Sequence, residues 1–363
     1  MAFTLHEIAV ALAAKPVGAT DLRVSGAAEP AKAGPDDLAL AMTPDYADGL
    51  QHGAARCAML WHDADWQAFG LEAAILVARP RYALSGLTAM MDPGQGWGTG
   101  IHNSAVIDKA AELGEGVSVG PLAVICKGAR IGAGTVIGPQ CFIGADAVIG
   151  ANGFLREGVK IGARVRVGAR FRAQPGAVIG GDGFSYVPRD TSSGEKVRQT
   201  PGDPGDKDAQ SWARIHSLGA VEIGDDVELG ANSTIDRGTI RDTRIGTGTK
   251  IDNLVMIGHN CEIGENALLC GCVGIAGSTR IGNNVILAGQ TGVGDHLTIG
   301  DNVVTGGGTI VLSNIPKGQV MLGYPATRMD NQMSIYKNLR RLKRLFADVK
   351  DLKKAVSNRP PNE

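Results

Sequence analysis

His259 stands in the segment Ile257-Gly258-His259-Asn260, and Gly277 closes the segment Ile275-Ala276-Gly277, eighteen residues later. An imidazole is the side chain best suited to accept a proton near neutrality. A backbone N–H can meet the negative oxygen of a tetrahedral intermediate. Glycine lets a carbonyl come close to that N–H, because no side chain stands in the way. If the fold stacks the two groups, they have the geometry that acyl transfer needs. From composition alone, one such histidine reads as a plain surface residue, so the decision rests on its surroundings. No serine or cysteine is paired with His259 in the sequence. A direct attack by an amine would need none, since an amine is nucleophile enough.

The elements that must position these residues are set by an unusual period. From Ile101 an aliphatic side chain returns every six positions through Ile107, Leu113, Val119 and Ile125 as far as Ile179. The beat resumes at Ile223, Leu229 and Ile235, changes phase before Ile245, and runs on to Val311 with Thr305 in one slot. A helix repeats near 3.6 residues and a flat strand at 2, so neither explains it. A fixed six-residue repeat predicts a parallel β-helix, in which each rung is a short strand and a corner and three rungs close one coil. Residues eighteen apart then stack in neighbouring coils, about 4.8 Å apart. His259 and Gly277 therefore fall one above the other. His296, two coils and one position beyond His259, lies about 10 Å along the axis. That is too far to share a hydrogen bond or a metal ion within one chain, and suited to spanning a substrate. Glycine often follows the aliphatic residue, as at Gly132, Gly144, Gly264 and Gly282. Corners ask for unusual backbone angles or close approach, and either accounts for the 52 glycines among 363 residues.

The predicted fold is mostly β: a left-handed parallel β-helix over 101–316, a small N-terminal α/β domain over 1–96, and a C-terminal helical segment over 326–357. The first domain opens with a helix over Thr4 to Ala14, capped by Thr4 with Glu7 three residues on. Strand-like stretches follow at Leu38–Met42, Cys57–Leu60 and Ala74–Val77, then a helix over Tyr82 to Met91. Residues 187–212 are polar and rich in Gly, Pro and charge, which predicts a loop extruded from a coil corner. In the last segment Ile335, Leu339, Leu342, Phe346, Val349, Leu352 and Val356 form an apolar seam, with Lys337, Arg340, Arg341, Lys343, Arg344, Lys350, Lys353 and Lys354 on the other face. Such a face is either simply solvated or a landing site for an acidic protein.

Composition narrows the classes. A net charge of −1 gives no global pull toward nucleic acid or membrane surface. No stretch reaches the roughly 20 apolar residues of a membrane span. The start has no basic leader, and six cysteines without a C-x-x-C pair read mainly as core thiols, which fits a reducing cytoplasm.

Several segments together resemble a specific enzyme family. They are Asp182-Gly183-Phe184-Ser185-Tyr186, the run from Trp212 to Gly219 into Ile223–Gly230, Thr234-Ile235-Asp236-Arg237-Gly238, Ile251-Asp252-Asn253, Ile257–Asn260, Ala276–Gly282 and Asp295-His296. The chain is similar along its whole length to the UDP-3-O-acylglucosamine N-acyltransferases of lipid A biosynthesis. Hexapeptide repeats alone are shared by many acyltransferases and carbonic anhydrases; the T-I-D-R-G, I-D-N, G-H-N and A-G-S series is far more specific. The resemblance implies a homotrimer with active sites between subunits. The acyl donor is a 3-hydroxyacyl chain on the 4′-phosphopantetheine of acyl carrier protein, with no cofactor bound by the enzyme itself. The acceptor is the 2-amino group of UDP-3-O-acylglucosamine. His259 then resembles the general base, Gly277 the oxyanion donor and His296 a second, substrate-binding histidine. The uracil-binding stretch aligns with Leu40–Tyr46, where Tyr46 matches a stacking aromatic, while Leu40 and Thr43 replace the family's second aromatic and its asparagine.

Three further expectations follow from register and chemistry. Asp252 or Asp236 is a candidate to orient the imidazole through its other nitrogen, though corner hydrogen bonding explains each equally well. An apolar groove should run along the coils past Gly277, and Ile310 is placed to close its far end. The competing readings are a β-helical zinc carbonic anhydrase, which lacks a third histidine ligand here, the related O-acyltransferase, which lacks a domain like 1–96, and a non-catalytic trimeric scaffold.

Overall fold

In the computed structural model, residues 2–190, 211–323 and 326–357 are described, so most of the extruded loop lies outside them. The chain divides into two compact units, Met1–Gly96 and Trp97–Glu363.

The first unit is built on a five-stranded sheet. Gly26–Ala28, Asp37–Ala41, Cys57–Trp61 and Ala73–Val77 run parallel, and Lys15–Gly18 pairs antiparallel with Ala73–Val77 at the edge. The opening helix is shorter than its apolar pattern predicts, Leu5–Ala11, because Ala13 turns left-handed at φ 49°. Its N-terminus carries the expected capping box, with the Thr4 hydroxyl accepting from Glu7 N–H and the Glu7 carboxylate accepting from Thr4 N–H. This helix and Pro80–Met91 cover one face of the sheet through Leu5, Ile8, Ala83 and Leu87.

The second unit is a left-handed parallel β-helix of two- to four-residue strands. Its three faces are sheets of ten, ten and nine strands, each joining rungs of successive coils. They are called here the Lys250, Met256 and Arg244 faces, after one outward residue on each. The register is the one the period demands: Val119 pairs with Ile137, Ile137 with Leu155, and Ile257 with Ile275. The aliphatic column fills the interior, and Ile125, Ile143, Ile161, Ile257 and Leu287 are all essentially inaccessible. Each such side chain contributes about 1.5–3 kcal/mol of burial. Thr305 keeps its slot by sharing its buried hydroxyl with Thr291 and accepting from Ala288 N–H.

Gly132, Gly144, Gly264 and Gly282 answer to close approach, not to backbone angle. A Cβ on Gly132 would lie 2.4 Å from the Ala151 nitrogen of the next coil. The left-handed residues come later in each corner and need not be glycine, as at Asn152, Asn260, Ser278 and His296.

Two departures from the period matter for the site. At the first, the chain leaves after Gly181 and returns before Val221, so Val167 pairs with Ile223. The base of this excursion is a hairpin, Tyr186–Val187 against Ala213–Arg214. At the second, Ile235 pairs with Ile257 instead of the residue eighteen on, because the corner between Thr234–Asp236 and Thr243–Ile245 is longer than the others.

Among the described residues no helix is long and apolar enough to cross a membrane. The last helix, Met329–Ser357, presents its seam to solvent, with Phe346 70% and Leu352 64% exposed.

Candidate active site

His259 follows the strand Met256–Ile257, and Gly277 follows Gly274–Ile275, the next strand on the same face. The stacking is close: a Cβ on Gly277 would lie 2.8 Å from His259 Nε2 and 2.8 Å from Cε1. A side chain at 277 would thus displace the imidazole that lies against it. The Ser278 N–H donates to the His259 carbonyl at 2.8 Å and the His296 N–H to the Gly277 carbonyl at 3.1 Å, so the corner is a continuous ladder. Among the described residues the Gly277 N–H donates to no acceptor. At some other rungs the equivalent corner N–H is taken by a side chain of the next coil, as when Glu265 N–H donates to Asn283 Oδ1 at 2.8 Å. A main-chain donor beside an imidazole is therefore available to a ligand.

The excursion covers the other side of the imidazole. Gly183 is buried there, and a Cβ on it would sit 2.6 Å from His259 Cβ. The Gly183 N–H is anchored by the Ser217 hydroxyl at 3.0 Å, and Asp182 is held by Arg214 at 2.7 Å. The exposed Phe184 rests against Tyr186 with ring centroids 5.1 Å apart.

Neither carboxylate expected to orient the imidazole is hydrogen-bonded to it among the described residues. Asp252 belongs to the corner after Lys250–Ile251, on a different face, where it is exposed and accepts from the Asn253 N–H at 2.7 Å. Rungs of six residues send close sequence neighbours to different edges of the prism, which is why seven positions do not bring it to His259. Asp236 is on the correct face and senses the charge of His259, but makes no hydrogen bond to it among the described residues. Burial pushes its carboxyl up to about 6, a shift that His259 opposes and Asp182 reinforces. The group bonded to the imidazole is Asn260, whose Oδ1 lies 3.0 Å from Nδ1. Its place directly after the histidine was visible in the sequence; its orientation was not.

His296 lies one coil beyond Gly277, exposed, with its backbone left-handed at φ 58°. Ile310 ends an outward column of Met256, Gly274, Gly292 and Ile310 on the same face. A Cβ on Gly274 would meet nothing within 4 Å, and one on Gly292 would lie 3.3 Å from Ile310 Cδ1. The two glycines leave a bare strip that ends at the isoleucine, which is 59% exposed.

Cys261, two residues from His259, donates its thiol to the Ala276 carbonyl at 3.2 Å, and burial pushes it up to about 11. It stays a thiol and is a poor nucleophile. Cys57 and Cys141 are likewise buried, whereas Cys272 is exposed, so the reading of core thiols does not extend to it. Among the described residues no group of three or more His, Cys, Asp and Glu side chains is arranged to hold a metal ion.

In the first unit, Tyr46 is exposed on the short helix Pro44–Ala47, with Thr43 as its exposed N-cap. Both follow the carboxyl end of the parallel strand Asp37–Ala41. Leu40 lies within that strand and packs partly buried against the Leu5, Ile8 and Leu87 core. It is a core residue first, and a weaker candidate for ligand contact than its two neighbours.

Residues 110–145 and 242–277 match the bacterial transferase hexapeptide family (six repeats). The chain is 64% identical to the UDP-3-O-acylglucosamine N-acyltransferase of Ruegeria pomeroyi over all of both chains. It is 58% identical to that of Paracoccus denitrificans, over 98% of this chain and 97% of the other. Among solved structures, an Arabidopsis UDP-N-acetylglucosamine acyltransferase is 24% identical over 61% of this chain and 71% of its own, with a TM-score of 0.49.

Proposed function

The chain belongs to the UDP-3-O-acylglucosamine N-acyltransferase family and is an acyltransferase, and on that premise we propose its substrates and the parts its residues play. It moves a 3-hydroxyacyl chain from acyl carrier protein to the 2-amino group of UDP-3-O-acylglucosamine, giving UDP-2,3-diacylglucosamine for lipid A. The observation that carries this reading is the contact of the His259 imidazole with Gly277, whose N–H has no acceptor among the described residues.

The acceptor amine attacks the thioester carbonyl, a C–N bond forms, and the nitrogen becomes cationic. His259 Nε2 takes the proton from that nitrogen. The oxyanion is met by the Gly277 N–H. Collapse breaks the C–S bond, and the imidazolium returns its proton to the departing pantetheine thiolate. No acyl-enzyme forms, in keeping with the protonated, carbonyl-bound thiol of Cys261. His296, on the coil beyond Gly277, contacts the substrate, and the strip left by Gly274 and Gly292 takes the acyl chain up to Ile310.

The uridine group engages Tyr46 and Thr43. Support for this comes from their position after the carboxyl end of a parallel strand, where ligands of open parallel sheets usually bind. The basic side of Met329–Ser357 receives the acidic carrier protein. A homotrimer is supported by the contrast between faces. The Arg244 face bears the ion pairs of Arg166, Glu222, Arg244, Glu262 and Arg280, whereas exposed Leu268, Ile286, Phe142 and Met256 lie on the other two. Six unpaired cysteines accord with a cytoplasmic setting.

The test is release of carrier-protein thiol in the presence of the UDP-amino sugar. His259→Ala should lower turnover by about 10²–10⁴ while the circular dichroism spectrum stays unchanged. A variant with nearly normal turnover would remove His259 from the mechanism.

A further inference from the structure

Asn260 is buried, and its side-chain amide is fixed at both ends. Its Oδ1 accepts from the Thr239 N–H at 3.0 Å, and its Nδ2 donates to the Arg241 carbonyl at 3.0 Å. Turning the amide over would set an NH₂ against an N–H and an oxygen against an oxygen. The main chain therefore determines which end faces His259, and that end is the acceptor. With Oδ1 3.0 Å from His259 Nδ1, the shared proton can come only from the imidazole.

We propose that Asn260 is a positioning residue for the acyl transfer: it holds His259 as the Nδ1–H tautomer, so that Nε2, the nitrogen against Gly277, carries the free lone pair. This rests on the reading of His259 as the base. The isolated imidazole has no such constraint, and the wrong tautomer would point an N–H at the amine whose proton must be removed. The bond also survives catalysis, because imidazolium keeps its Nδ1–H. The same oxygen then faces the positive ring without any rearrangement, the service a carboxylate performs in a Ser-His-Asp triad.

The long corner at 237–242 exists in the right place for this. Its Thr239 and Arg241 are the groups that grip the amide, and the Arg241 guanidinium also donates to the Asn260 carbonyl at 3.1 Å. The Asn260 N–H is tied to the Thr243 hydroxyl at 2.9 Å, at the end of the same corner. A corner of ordinary length would not reach around the side chain. The change of phase after Ile235 is thus linked to the orientation of the catalytic ring.

The full-length protein labelled with ¹⁵N-histidine tests the tautomer directly, with the His259 signals identified by their loss in His259→Ala. Above the titration range, the expected result is a pyrrole-type resonance for Nδ1 and a pyridine-type resonance for Nε2. The opposite pattern in the wild type overturns the proposal. Kinetics supply a second readout. Asn260→Ala removes the acceptor and should lower kcat about 10–100-fold with KM for both substrates within about threefold. Asn260→Asp keeps the acceptor but loses the bond to the Arg241 carbonyl, and should retain about tenfold more kcat than the alanine variant. If the aspartate enzyme is no better than the alanine enzyme, or the loss appears in KM, Asn260 serves the corner alone. If alanine unfolds the corner, the wild-type resonances and the aspartate variant decide. An active His259→Ala enzyme removes His259 as the base and with it the premise of this proposal, whereas the wrong wild-type tautomer strikes only the role of Asn260.

Discussion

A single methyl group on Gly277 would lie 2.8 Å from Nε2 of His259, closer than any relaxed carbon–nitrogen contact. One of the two must move: either the imidazole swings off the corner or the Gly277 N–H shifts from the position proposed for the oxyanion. Gly277 is not left-handed, so alanine meets no backbone strain there and the coil itself should survive. Gly277→Ala is expected to lower kcat by about 10²–10³, the usual cost of losing an oxyanion donor, with a melting temperature close to wild type. Turnover close to wild type would show that neither group needs this approach.

Asp236 gives a prediction for stability. Burial raises its carboxyl from 3.8 to about 6 in the folded chain. Between those two values the folded state holds more protons than the unfolded state, so this group makes stability fall as pH rises through that window. The residue is incompletely buried, so the effect is a modest one. Asp236→Asn should flatten the fall between about pH 4 and 6 and leave the variant more resistant to urea than wild type at pH 7. Parallel urea midpoints for the two proteins across that range would deny the carboxyl this role.

The stacking of His259 on Gly277 was legible because it follows from counting: three rungs of six residues return to the same edge. The same counting placed Ile310 two coils beyond the oxyanion region. It also puts Asp252 on another edge, a neighbour of His259 in the chain but not around the prism. Asn260 escaped the count. Its orientation is set by a main-chain N–H and a carbonyl about twenty residues earlier, and side-chain amides leave no periodic trace. The phase change after Ile235 was visible as an irregularity, yet its purpose required knowing what the longer corner encloses. In the first unit, Lys15–Gly18 and Gly26–Ala28 carry no alternating pattern, since glycine and proline occupy much of them and tertiary pairing alone makes them strands.

Tyr46 separates binding from chemistry. Its ring is 60% exposed on Pro44–Ala47 and touches no other aromatic ring among the described residues. A stacked base is worth about 1–3 kcal/mol, so Tyr46→Ala should raise KM for the UDP-sugar by roughly 5–150-fold. Turnover at saturation should change little, because the ring does not touch the reacting atoms. Initial rates over a range of acceptor concentration distinguish the two constants, and a fall in kcat at unchanged KM would place the uridine elsewhere.

The end of the acyl strip makes a graded prediction. Gly274 and Gly292 leave two successive coils without outward side chains, and Ile310 occupies the third. A chain that enters beside Gly277 has about 4.8 Å of width per coil before it meets that side chain. Ile310→Ala should therefore shift preference toward donors longer by about two to four carbons, since each methylene spans roughly a quarter of a strand spacing and each one buried is worth about 0.8 kcal/mol. Ile310→Phe should shift it the other way, and Gly292→Leu should block the strip one coil earlier and shorten the product further. Mass spectrometry of products formed from a mixture of acyl carrier protein thioesters reads all three at once. The ordering matters more than any single value: if the Gly292→Leu enzyme accepts chains as long as the Ile310→Phe enzyme does, the acyl group does not run along this column.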